Sequence, residues 1–149
     1  MVRMTARRGW VFKHSLTIVS GAILALWIVL YSRSNPVTHL GAFYGNAVAD
    51  WSGTLVMVLG TKFLYERGSV ESKKPRTFLP KRWETVLRDH SLTIFLVLTG
   101  AIWVAAYIRM DAQGRWGQVI GNIVSEWTQV LGIVLMTKRL VESGSKESK

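Results

Sequence analysis

HSLTIVSGAILALWIVLYSR (residues 14–33) and HSLTIFLVLTGAIWVAAYIR (residues 90–109) decide the fold of this chain. Between His14 and Arg33, and again between His90 and Arg109, no residue carries a formal charge. An α-helix rises about 1.5 Å per residue and the hydrocarbon layer of a bilayer is about 30 Å thick, so about 18–20 apolar residues just cross it. Two further apolar runs, 41–61 and 117–137, each carry a single acidic residue, Asp50 and Glu126. A helix that is apolar all round can also sit inside a large soluble protein, but a chain of 149 residues has nothing left to build that shell. The reading is an all-α membrane protein with four transmembrane helices, at about 15–32, 42–61, 91–108 and 118–137. A cleaved leader is the competitor for the first run; no small-x-small site follows it, the next residues being Tyr31-Ser32-Arg33-Ser34.

The two quoted stretches are one stretch written twice. Residues 14–73 align without a gap on 90–149 at an offset of 76, with 26 identities in 60 positions. The identities include His14/His90, Trp27/Trp103, Tyr31/Tyr107, Gly45-Asn46/Gly121-Asn122, Trp51/Trp127, Lys62/Lys138 and Glu71-Ser72-Lys73/Glu147-Ser148-Lys149. Shared hydrophobicity cannot place Trp, Asn, Gly and Lys in register so often, so the chain reads as a tandem duplication of a two-helix hairpin. Its parts are a basic tail (1–13), hairpin repeat 1 (14–73), a linker (74–89) and hairpin repeat 2 (90–149). An even number of spans per unit makes the two hairpins parallel repeats, related by an axis along the membrane normal. In the linker, Pro75 and Pro80 stop the preceding helix, and Lys81–Asp89 is expected to form a short helix in the membrane interface, with Leu79, Trp83, Val86 and Leu87 on one side. A solvated linker is the alternative.

The net charge of +10 is placed for a membrane rather than for nucleic acid. Sixteen of the nineteen Lys and Arg lie in the tails and in the stretch 62–89 that joins the second and third spans, and three, Arg33, Arg109 and Arg115, in the hairpin loops. Basic residues are retained on the cytoplasmic side, so both termini are expected inside. Without cysteine the chain has no disulfide, thiolate metal site or cysteine nucleophile. No P-loop, nucleophile elbow, HExxH or dinucleotide fingerprint occurs, and neither catalysis nor a cofactor is expected.

Polar chemistry is confined to the second and fourth runs. Asp50 and Glu126 occupy equivalent repeat positions near mid-membrane depth, with Asn46 and Asn122 one turn earlier and Gln129 just beyond. A carboxylate at that depth costs about 2.5–3.5 kcal/mol on insertion scales, so each is expected to face the bundle interior with a partner, an amide four residues away being available as donor. Two facing carboxylates in a low dielectric cannot both stay charged cheaply, so a shared proton or a bound cation follows. This constellation, Asp50, Glu126, Asn46, Asn122 and Gln129, reads as an ion or proton path; the competing reading is protonated carboxyl groups that cement helix packing. Small residues on an adjacent face, Gly41, Gly45, Ala49 and Gly53 with Gly117, Gly121 and Ser125, are expected to let helices approach closely. Trp51 and Trp127 beside the carboxyls would either wall off a polar path or fill space. His14 and His90 are weak candidates for a metal or haem pair at the membrane edge, where an ordinary interfacial histidine serves equally; His39 has no repeat counterpart.

The stretch from Asn122 through Ser125-Glu126-Trp127, Gln129 and Thr137 to Gly144-Ser145-Lys146-Glu147-Ser148 resembles a family of small bacterial membrane proteins known only as a domain of unknown function. Those proteins also pair hairpins, place an acidic residue beside a Trp and end on Gly-Ser-x-Glu-Ser. The outer loops here are shorter than in that family, and His14 and His90 are not part of its pattern. The resemblance implies a bacterial plasma-membrane location and no activity. A channel or transporter-like role, in a homo-oligomer or larger membrane complex, is one expectation; a non-catalytic accessory subunit is the other.

Overall fold

The structure, a computed structural model, describes residues 9–73, 82–140, 143 and 145. The linker prolines Pro75 and Pro80, and the tail residues Gly144 and Glu147-Ser148-Lys149, lie outside the described residues. Within them the chain is all helical and has no strand: α1 Ser15–Arg33, α2 His39–Phe63, α3 Arg82–Asp89, α4 Ser91–Arg109 and α5 Arg115–Met136. The helix starts at 15 and 91, and at 39 and 115, keep the offset of 76. α1, α4 and α5 are long and apolar enough to cross a membrane, with mean hydropathies of 1.9, 2.0 and 1.5. α2 is the longest helix, at 25 residues, but Asn46, Asp50 and Trp51 make it less apolar.

α1 packs on α2, α2 on α5, and α5 on α4, so α2 and α5 form the central pair. Only Ser20 and Tyr31 of α1, and Leu92 and Leu96 of α4, are buried. Leu16, Val19 and Leu26 on α1 and Leu98, Ile102 and Ile108 on α4 all point outward, a surface that suits hydrocarbon and would be an extended apolar patch in water. One core cluster joins Tyr31, Val48, Ala49, Val119, Ile123 and Trp127; a second joins Leu92, Leu96 and Val134.

Short hairpin turns explain two of the glycines. A Cβ on Gly41 would run into the Asn35 carbonyl oxygen, and one on Gly117 into that of Asp111. These glycines therefore admit their own hairpin loops, which fold back on the helix start, and do not pack helix on helix as the small-residue pattern suggests. Gly45 and Gly121 do admit a neighbouring helix, since a Cβ there would sit 3.0 Å from the Tyr31 and Tyr107 rings. Gly53 and fully buried Ala49 lie in the α2–α5 seam. Ser125 is exposed on the polar side of that seam, because an i, i+3 step from Asn122 carries it round with the amide.

The two tyrosines are not equivalent. The Tyr31 hydroxyl donates to the Arg115 carbonyl at 2.6 Å, and the Arg115 guanidinium donates to the carbonyls of Tyr31, Ser32 and Ser34 at 3.2, 2.7 and 2.8 Å. Arg115 thus caps the C-terminus of α1, whose last carbonyls have no partner within the helix. Gly45→Leu is expected to destabilise by about 1–3 kcal/mol through overpacking against this pinned ring. Gly121→Leu is expected to cost less, since Tyr107 is partly exposed and free of such a clamp. Thermal unfolding in detergent compares the two; equal losses would remove the asymmetry assigned to Arg115.

Candidate functional site

α2 and α5 approach closely where Ala49 and Gly53 offer little side chain, and this brings their equivalent polar residues face to face. Asp50 and Glu126 are each the twelfth residue of their helix. Their carboxyl groups lie within hydrogen-bonding reach of each other. One turn toward the N-termini of the helices, the Asn122 amide donates to the Asn46 side-chain carbonyl at 2.5 Å. The amides were expected to serve the carboxyl four residues along their own helix. They pair across the seam instead, because close approach of the two helices makes the opposite amide the nearer partner.

The groups do not face a closed interior. Asp50 and Asn46 are exposed, and the α2–α5 seam opens on the outside of the bundle. A cavity of about 260 Å³ is lined by Asn46, Asp50, Asn122, Ser125 and Glu126. A second, of about 360 Å³, begins at the same carboxyl pair and runs along Gly53, Thr54, Met57, Val58, Val130 and Ile133 to Glu71. The two share Asp50 and Glu126, so the pair stands midway along one groove between the amide pair and a third acidic residue. Gln129 is exposed and does not line either cavity. Trp127 fills space: it is buried between α4 and α5, its indole donates to the Thr99 hydroxyl at 2.8 Å, and it meets Trp103 edge-on.

Beyond the end of α2, the segment 64–73 straps the first hairpin onto the second. The Tyr65 N–H donates to the Ser91 hydroxyl, the Leu92 N–H to the Tyr65 carbonyl and the Arg67 N–H to the Asp89 carbonyl. The Ser69 hydroxyl pairs with that of Thr137. Glu66 is fully buried here, and one of its oxygens accepts from Lys138 Nζ and from His90 Nδ1, each at 2.6 Å. Burial pushes this carboxyl up, but the hydrogen bonds from Lys138 and His90, with the charge of His90, outweigh it and hold it below the ordinary glutamate value. His90 is thereby committed to Glu66, while His14 packs against Trp10 and stands 3.1 Å from Lys62 Nζ. The histidines are held by different partners, and among the described residues no group of three potential ligands gathers for a metal ion.

Sequence reasoning missed Glu66, Glu71 and Arg115. The available signals were the identities of Glu66 with Glu142 and of Glu71 with Glu147 across the repeat, positions whose partners no local pattern names. No family model, characterised protein or solved structure matches the chain.

Proposed function

We propose that the chain is a small multi-pass membrane protein that moves protons or small cations along the α2–α5 groove, using Asp50 and Glu126 as the exchanging pair. The observation that carries this reading is the meeting of two mid-helix carboxyl groups, flanked by an amide pair, in a groove that continues to Glu71. In this reading α2 is the fourth span: it packs along α1 and α5, and its polar residues turn into the seam. The hairpins are parallel repeats about an axis along the membrane normal, and the termini lie in the cytoplasm of a bacterium, as the basic residues and the family resemblance suggest. An open polar groove at mid-membrane depth is costly against lipid, so a second copy covering it, in a homo-oligomer, belongs to the proposal. Proton or cation flux into liposomes holding the purified protein alone tests it directly; no flux above empty liposomes overturns it.

A second reading, a non-catalytic accessory subunit, is favoured by one feature: the polar seam faces outward, where a partner's helix could dock. Flux by the isolated protein separates the two.

Topology is checked independently. The chain has no cysteine, so single thiols placed at positions 36, 78 and 113 are unique labels. Position 78 is expected to react from the cytoplasmic side, and positions 36 and 113 from outside. Cytoplasmic labelling at 113 would overturn the parallel hairpins.

A further inference from the structure

Two Lys–His pairs stand 76 residues apart, and one of them is seen at work. His90 precedes α4 with φ −126° and ψ 18°, and His14 precedes α1 in nearly the same conformation, φ −117° and ψ 13°. Lys138 follows α5, and its counterpart Lys62 ends α2. Lys138 and His90 close on a single oxygen of Glu66, so this residue pair on this backbone frame holds an oxyanion with two N–H donors. At the other pair, Lys62 Nζ lies 3.1 Å from His14 Nδ1, and neither makes an ion pair with a described residue.

The surroundings differ in a way that selects the ligand. The Glu66 carboxyl, in the strap, is fully buried between partly exposed donors, whereas Lys62 is exposed and lies 4.9 Å over the ring of Phe63, itself 71 % exposed. On the other side Trp10, 61 % exposed, packs against His14 with ring centroids 4.8 Å apart and the planes tilted by 52°. Two basic side chains framed by outward-facing aromatic rings, His14 at the start of a helix long and apolar enough to span a membrane and Lys62 in the last turn of α2, match a phospholipid headgroup. Phosphate oxygens suit the donors, and the glycerol and first acyl carbons suit the rings.

We propose that Lys62 and His14 bind the phosphodiester of an anionic phospholipid, one phosphate oxygen standing where the Glu66 oxygen stands between Lys138 and His90. The site requires α1 to lie in a membrane and is independent of ion movement along the groove.

The test uses the purified full chain in mild detergent, offered equal amounts of phosphatidylglycerol and phosphatidylcholine, with retained lipid read by native mass spectrometry. Wild type is expected to retain phosphatidylglycerol. Lys62→Gln and His14→Gln should each lower that retention by about fivefold to tenfold, the loss of one charge-assisted contact at a headgroup. Arg139→Gln, which removes an exposed positive charge elsewhere, should change it by less than about twofold. Thermal unfolding of Lys62→Gln should match wild type, so a lost lipid is not a lost fold. Equal retention of the two lipids, or equal effects of Lys62→Gln and Arg139→Gln, would overturn the site. Release of the lipid by millimolar inorganic phosphate would assign the pair to free phosphate and overturn the lipid. If only Glu142→Gln takes up phosphatidylglycerol, the oxyanion is the chain's own carboxylate, and the proposal fails.

Discussion

Asp50→Asn and Glu126→Gln are each expected to reduce flux in liposomes to the level of empty vesicles, while the melting temperature in detergent stays level or rises. The amides copy the neutral acids in shape but can neither release a proton nor balance a cation. Both carboxyl groups line one cavity and serve the same exchange, so the double mutant should be no worse than either single one. Stability moves the other way because a like-charged pair next to hydrocarbon is a cost that an amide removes. Unchanged flux in both mutants would end the transport reading and leave the accessory subunit in front. If the pair only cements helix packing, the same amides are tolerated or even stabilising and flux does not change, because no charge has to be buried. The comparison therefore needs both measurements on the same preparations.

Lys138→Met is expected to be among the most destabilising single changes, by about 3 kcal/mol, near the lower end for breaking a buried ion pair. It strands a carboxylate that is 0 % exposed, with only the His90 hydrogen bond left to it. Glu66→Gln should cost less, because a neutral amide oxygen still accepts from Lys138 and leaves a partly exposed lysine rather than a buried anion. The pH dependence distinguishes this ion pair from simple packing. Glu66 titrates below its ordinary value of about 4.5, so the folded state binds its proton less readily than the unfolded state does. Its stabilisation is complete above that ordinary value and is lost as pH falls through the lower folded-state value. Wild type should therefore lose stability in acid below about pH 4.5, and Glu66→Gln should lack that part of the acid loss. An identical acid profile in the two proteins would remove Glu66 from the account. Arg67 and Arg88, which pair with Asp89 nearby, contribute to the same region, so the difference between the profiles is the informative quantity.

The helices were legible in the sequence because hydropathy and helical rise are local properties. The runs 15–32 and 91–108 are uncharged by inspection, and the strings themselves end at Arg33 and Arg109, where the helices end. Asp50 and Glu126 were legible as a pair for the same reason, since equal positions at the offset of 76 make each the twelfth residue of its helix. Tertiary structure alone decided that Asn46 and Asn122 bond to each other rather than to their own carboxyls, because that choice depends on how closely two backbones approach. It alone decided that the groove opens outward, because which side of α2 and α5 stays bare follows from where α1 and α4 dock. And it alone joined Glu66 to Lys138, 72 residues away, and Tyr31 to Arg115, 84 residues away. Neither pairing follows from any period in the sequence: a buried carboxylate takes whichever donors the folded chain brings within reach, and those donors sit on the other hairpin.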